Sequence, residues 1–369
     1  MSTRPEHDLI AFAERLMSLL DQGQFVATYK YAVLLGLMDL CLEATDRHGQ
    51  APQSVTTREL AGKVIELYWP HTQNFDRGPA ARVLRQNSGR QARILADIGT
   101  FREHLPDPSV TLDRARVGDS GGYRRLLNYV EWTLILMPLP RLQVVGRHAD
   151  PFVYEIAWDL GIEKRHTDVR RYQRGEGGDF DNLIRFQPGV GDHLVRLNGL
   201  LRPLIYRGWA SIVARFNGLP ESELESFLFG IDRTALAAVR QPLTDLQHGQ
   251  CFYCGTRLGP AAEVDHFIPW ARRPDNGIHN LVVADRRCNG SKRDFLAAPA
   301  HVGSWMERNR GRAAELDMVA SEIRWESHLE RTLGAARGIY FRLGEGTRLW
   351  LAKDEFLKVE AGLVQVALA

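Results

Sequence analysis

Two short pairs of metal-ligand residue types constrain this chain more than any other feature. Cys251-Phe-Tyr-Cys254 and Asp285-Arg-Arg-Cys288 stand at either end of one short segment, and between them lie Val264-Asp265-His266-Phe-Ile-Pro269 and Asn280-Leu-Val-Val-Ala284. Residues three apart on a helix share a face, so Asp285 and Cys288 can complete a tetrahedral site with Cys251 and Cys254. A fold that brings the pairs together ties a hairpin to a helix in a segment too short for much core of its own. Two alternatives stay open: His248 as the fourth ligand, or a reduced thiol cluster without metal. Asp285 also stands where a helix should start, and its carboxylate can cap the first turn.

The intervening residues carry the chemistry. Hydrolysing a phosphodiester needs a water deprotonated near neutral pH, a Lewis acid on the phosphate, and groups that hold the backbone in line. His266 is the candidate general base, because an ordinary imidazole titrates near working pH. Asp265 and Asn289 are candidate catalytic-metal ligands, whose hard oxygens suit Mg²⁺ or Mn²⁺. Neighbours on a regular strand point to opposite faces, so the strand must end or bulge at Asp265-His266, and Pro269 supports that ending. Trp270 to His279 then reads as a loop with Pro274, Asp275, Asn276 and Gly277, and Leu281 to Ala284 as the returning strand. Asn280 is expected to fix the loop through side-chain hydrogen bonds to backbone and is counted with the catalytic residues.

In order and spacing, residues 248 to 300 resemble the HNH (His-Asn-His) endonucleases. The resemblance implies a β-hairpin followed by a helix that grips one divalent cation through the positions of Asp265 and Asn289. Zinc-bearing members usually show two Cys-x-x-Cys pairs, and here aspartate replaces the first cysteine of the second pair. The resemblance therefore implies a structural Zn²⁺ held by Cys251, Cys254, Cys288 and Asp285, beside a catalytic Mg²⁺ or Mn²⁺. Lys292, Arg293, Arg286 and Arg287 are expected to contact nucleic-acid backbone, Lys292 also because it matches a basic position common in the family.

Lysine and arginine number 47 against 45 aspartates and glutamates, a net charge of +2, so any nucleic-acid binding must come from local patches. The chain has 4 cysteines, three of them in the motif, which points to a reducing cytoplasm rather than a disulfide scaffold. Cys41 reads as plain core. The sequence has no long uninterrupted apolar stretch, no signal-like N-terminus and no P-loop signature, so neither membrane insertion nor ATP hydrolysis is expected.

Elsewhere the periodicity is mostly helical. Residues 11–20 and 26–42 carry apolar residues at helical spacing, and Thr56-Thr-Arg-Glu59 is a capping box opening a helix to Tyr68 that Pro70 stops. Arg82, Arg85, Arg90 and Arg93 read as a helical stripe, either DNA-facing or solvated. Residues 142–158 turn β-branched and aromatic, predicting a hairpin or small sheet. Lys164, Arg165, Arg170, Arg171 and Arg174 read as a basic loop running into Gly175-Glu-Gly-Gly178. Residues 194–216 and 224–246 return to helix, 301–337 reads as one or two helices, and 339–343 with 349–351 as a closing pair of strands.

The expected architecture is α+β and predominantly helical, with a large N-terminal helical domain followed by a ββα-metal (HNH) nuclease module. The expected regions are a helical domain at 1–135, a mixed region at 136–245, the module at 246–300 and an extension at 301–369. The implied function is metal-dependent endonuclease action on DNA, RNA not being excluded by any residue. The N-terminal part would serve targeting or regulation, or bind a protein partner or a second copy, in restriction or phage defence. The competing class is a non-catalytic, zinc-stabilised nucleic-acid-binding protein, which would need no set such as Asp265, His266 and Asn289.

Overall fold

The computed structural model describes residues 5–21, 27–75, 82–145, 148–230, 236–359 and 363–368. The chain divides into two compact units, one of residues 1–41 with 52–230 and one of residues 42–51 with 231–369. Helices dominate both, with small antiparallel sheets among them.

Through the first unit run α1 (Pro5–Asp21), α2 (Tyr29–Glu43), β1 (Ser54–Thr56), α3 (Thr57–Tyr68), β2 (Asn74–Phe75), β3 (Arg82–Val83), α4 (Arg93–Glu103), α5 (Leu112–Gly118) and α6 (Ser120–Leu136). They are followed by β4 (Val144–Val145), β5 (His148–Ala149), β6 (Tyr154–Ile156), α7 (His166–Gln173), β7 (Leu183–Phe186), α8 (Val190–Arg196), α9 (Asn198–Asn217) and α10 (Leu224–Phe229). The last two residues of α2 belong to the second unit. The capping box starts α3: Thr56 Oγ1 accepts the Glu59 N–H at 3.1 Å while Glu59 Oε2 accepts the Thr56 N–H at 2.7 Å. Two orphan amides are thereby satisfied at one helix end. The apolar face of α3 then packs on α6, with Leu60, Ala61, Val64 and Ile65 all buried. Cys41 is fully buried, as a core residue should be.

Several sequence expectations change here for physical reasons. Arg82 and Arg85 are not on a helix. Arg82 lies in a strand, and both guanidinia donate to the C-terminal carbonyls of α9, Arg82 to Asn217 O and Arg85 to Phe216 O. Those carbonyls have no intrahelical donors, so the arginines act as caps. The basic stretch read as a loop is helical over His166–Gln173, because Val169 buries its side chain and Tyr172 and Gln173 bond the buried Glu131 of α6. The residues predicted as a hairpin or small sheet near 142–158 enter two sheets: β4 pairs with β5, and β6 is an edge of a separate sheet whose central strand is β7, between β1 and β6.

The second unit holds α11 (Ala237–Leu246), β8 (Glu263–His266), β9 (Leu281–Ala284), α12 (Arg286–Lys292), α13 (Pro299–Gly311), α14 (Ala313–Glu322), α15 (Leu329–Tyr340), β10 (Arg348–Ala352), β11 (Glu355–Lys358) and α16 (Leu363–Leu368). Residues 301–337 thus contribute to three helices, and 339–340 end α15 rather than forming a strand. The closing hairpin is β10–β11. No helix among the described residues is long and apolar enough to cross a membrane.

Strand β9 explains its own uninterrupted apolar sequence. Alternate side chains enter opposite cores: Leu281 and Val283 join Leu243, Leu246 and Leu316, while Val282 and Ala284 join Phe267, Trp305 and Leu349. Phe267 stacks on Trp305 with centroids 4.6 Å apart and planes at 7°. Burying each such side chain contributes about 1.5–3 kcal/mol. The hairpin is therefore stabilised from outside its own segment, by α11 and by the C-terminal helices.

Candidate active site and metal centre

Strands β8 and β9 pair antiparallel, with Asp265 opposite Val282 and His266 opposite Leu281. Strand β8 ends at His266, and chain and side chains then diverge. Asp265 Oδ2 accepts the Tyr253 hydroxyl at 2.5 Å and pairs with Lys292 Nζ at 2.9 Å. His266 turns to the connecting loop, where its Nε2 lies 2.9 Å from Asn276 Oδ1 and its ring edge meets Trp270. Because an amide oxygen only accepts, this contact puts the proton on Nε2 and leaves Nδ1 as the basic nitrogen. Burial holds the His266 pKa below the ordinary imidazole value, partly offset by Asn276 and Asp265, so the ring is neutral at neutral pH.

The loop between the strands is fixed from several directions. Asn280 is fully buried; its Oδ1 accepts the Ile268 N–H at 2.8 Å and its Nδ2 donates to Asp275 O at 3.1 Å and Ile268 O at 3.2 Å. Its side chain bonds backbone across the loop, as its sequence position leads one to expect. Arg273 pairs with Asp275 at 2.6 Å and with Glu43 at 2.7 Å, and Arg331 pairs with Glu43 at 2.7 Å. Asp275 also accepts the Gly277 N–H and the Thr332 hydroxyl, both at 2.9 Å. Burial opposes ionisation of Asp275, but Arg273 and these donors hold its carboxyl below the usual range.

The cysteine cluster is assembled at the start of α12. One ligand atom each of Cys251, Cys254, Asp285 and Cys288 lies within 4.8 Å of all the others, a spacing that fits a tetrahedral metal ion. His248 is not in this cluster. The two competing roles of Asp285 fall to its two oxygens. Oδ1 caps the helix, accepting the Arg287 and Cys288 N–H groups at 2.9 and 3.0 Å, while Oδ2 faces Cys254 Sγ at 3.1 Å. Burial opposes ionisation of Asp285, but the Cys254 thiol and the Cys288 amide hold its pKa well below the carboxylate range. Burial, with the Asp285 carboxylate beside it, pushes the Cys288 thiol up.

Helix α12 brings Asn289 to β8, where its Nδ2 donates to Glu263 Oε2 at 2.5 Å. Among the described residues, Asp265 Oδ1 and Asn289 Oδ1 accept no hydrogen bond, so each keeps a hard oxygen for a cation. Oxygens of this kind are the ligand type that a hard divalent cation takes.

Lys292 departs from its expected place. It is fully buried, its ammonium on Asp265 and on His266 O at 2.9 Å, and it presents no charge to solvent for a phosphate. The reason is geometric: Lys292, one turn beyond Asn289, falls on the face of α12 that packs on β8. Arg286, Arg287 and Arg293 are exposed and line a cleft of about 470 Å³ together with Lys353. Sequence reasoning missed Lys353, Tyr253, Asn276 and the Glu43–Arg273–Asp275 network. A tyrosine between two cysteines was a signal for Tyr253; the others carry no local pattern.

Residues 251–298 match the family model for HNH endonucleases. No curated protein and no solved structure matches the chain.

Proposed function

We propose that this protein is a divalent-metal-dependent endonuclease that hydrolyses phosphodiester bonds in DNA through its HNH module. The observation that carries the reading is an imidazole at the end of β8, next in sequence to Asp265, with Asn289 brought to the same strand by α12. His266 takes the proton of the attacking water at Nδ1, and Asn276 keeps the ring in that tautomer. Asp265 and Asn289 would hold the cation by their open oxygens, while Tyr253 and Lys292 fix the Asp265 carboxylate. Mg²⁺ or Mn²⁺, when bound, supplies Lewis acidity on the phosphate and the leaving oxygen. Asn280 sets the loop that carries Asn276. Arg286, Arg287, Arg293 and Lys353 hold the backbone without reading sequence.

Zinc in the Cys251, Cys254, Asp285 and Cys288 cluster is the structural metal of this reading, tying the turn at 251–254 to α12. The first unit serves targeting or regulation, and restriction or phage defence is the setting that such an arrangement suits. Incubation with supercoiled plasmid, linear duplex and RNA, with Mg²⁺, with Mn²⁺ and with EDTA, tests the activity and the substrate. His266→Ala is expected to lower cleavage by about 10² to 10⁴ while leaving DNA affinity intact. Cleavage by that variant at the unsubstituted rate would end the assignment of the base.

A further inference from the structure

The first unit contains a basic pocket that the nuclease reading does not use. It is a cavity of about 410 Å³, in the size range of small-ligand sites, formed by α6 and α7 with Arg93 at the start of α4. Arg125, Tyr129 and Trp132 line it from one face of α6, at i, i+4 and i+7, with Arg170 on α7 and Arg174 at the cap that ends α7. No acidic side chain lines it. Arg93 lies 3.9 Å from the partly buried Asp97, and Arg174 lies 2.8 Å from Glu176 in a solvent-exposed pair of the weak kind. Arg125 and Arg170 have no ion pair among the described residues.

The aromatic wall is equally specific. Tyr129 is 53% exposed, so its ring is open to a ligand in the pocket. Trp132 is half-buried, its ring 4.5 Å from that of His166 and tilted by 49°. Behind this wall the fold is rigid. The fully buried Glu131 accepts from Thr57 Oγ1 at 2.8 Å and from Gln173 Nε2 at 3.0 Å, so α3, α6 and α7 are locked together.

We propose that this pocket binds a nucleotide, its phosphate held by the Arg125 and Arg170 guanidinia and its base against Trp132 and Tyr129. Guanidinia match phosphate oxygens in pairs, and a flat aromatic face accepts any base. A bare anion would have no use for the exposed aromatic wall, and an apolar ligand none for four arginines. The nucleotide comes either free or as one unit of a single strand. The inference is independent of the nuclease reading, since no residue of the HNH module enters it.

The test uses the full chain in buffer without added divalent cations. ATP, inorganic phosphate and a fluorescein-labelled twelve-residue oligothymidylate are titrated separately, and the strand is checked for integrity on a gel. Binding of ATP or of the oligonucleotide is expected, weakened about tenfold or more by Arg125→Ala with Arg170→Ala, and by a similar factor in Trp132→Leu. Tyr129→Ala, at an exposed position, is the second aromatic variant should Trp132→Leu melt early. ATP binding alone assigns a free nucleotide, and tighter binding of the oligonucleotide assigns a strand. Failure of both probes, unchanged affinity in the variants, or phosphate binding as tightly as ATP overturns the proposal. Loss of cleavage in His266→Ala bears on none of these readouts, so the two readings fail separately.

Discussion

Helix α12 is held at its two ends by different chemistry. At 7 residues it is far too short to persist alone, so its anchors decide whether Asn289 stays on β8. At the N-terminal end the anchor is the group of Cys251, Cys254, Asp285 and Cys288, where Cys254 is exposed and Asp285 half-buried. At the C-terminal end it is the Lys292–Asp265 pair, with the lysine fully buried and the Asp265 side chain 10% exposed. The first anchor answers to what is dissolved around it, a metal ion, a chelator or an oxidant. The second answers only to the fold.

The largest effect should come from breaking the buried anchor. Lys292→Ala leaves the Asp265 carboxylate desolvated beside Tyr253 and frees His266 O of its donor. Removing one partner of a buried pair typically destabilises by 3–5 kcal/mol, and urea unfolding should read about that loss. A variant that unfolds at the same urea concentration as the original protein would mean that the ammonium is not held as the geometry shows.

The outer anchor should respond to metal instead. With free Zn²⁺ a hundredfold above its dissociation constant, occupancy of the cluster stabilises by about 2.7 kcal/mol. A strong chelator should lower the melting temperature accordingly, and Cys251→Ser should abolish that response. The two oxygens of Asp285 can then be told apart: Asp285→Asn keeps a cap and loses a ligand, whereas Asp285→Ala loses both, costing about 1 kcal/mol more. Elemental analysis without zinc, and melting indifferent to the chelator, would leave a thiol cluster without metal.

The two units invite the same comparison through their buried histidines. Burial lowers His71 in the first unit and His279 in the second to about 4 each. The unfolded imidazoles take up protons near 6.5, so the unfolded chain binds protons first as pH falls. Their contribution is complete above about 6.5, fades as pH drops towards 4, and does not fall further below it. His279 has Asp317 3.8 Å away to receive its charge, whereas His71 packs between Trp209 and Phe229. Melting curves at steps from pH 7.5 to 4.5 should show the loss, and His71→Phe should shrink it. A melting temperature flat across that window would contradict both shifts.

How much of this was legible in the sequence follows from where the partners lie. The ligand pairs, the strand end at His266, the loop role of Asn280 and the cap at Asp285 were readable because each depends on neighbours within a turn or a hairpin. Helical stretches with clear periodicity and a capping box were readable for the same reason. The anchors of the loop were not: Glu43 meets Arg273 and Arg331 across distances along the chain that leave no pattern. The arginines at 82 and 85 misled because they were read onto a helix of their own, when each caps the end of another. Lys292 misled in the opposite sense. Its spacing from Asn289 was read correctly, but one turn of helix can lead into the core as easily as towards solvent.

That last point gives the finest test, one that separates charges facing solvent from a charge facing the core. Each phosphate contact releases counterions, so losing one lowers the slope of log affinity against log salt by about 1. Arg287 is exposed on the cleft and should show that change as Arg287→Ala, with folding untouched. Lys292→Met, measured at a temperature where it remains folded, should keep the original slope whatever its absolute affinity. Binding of a short duplex to both variants across a salt series, without divalent metal, reads the difference. A shallower slope for Lys292→Met and an unchanged one for Arg287→Ala would put the lysine at the phosphate after all. In that event the ion pair with Asp265 would have to open when nucleic acid binds.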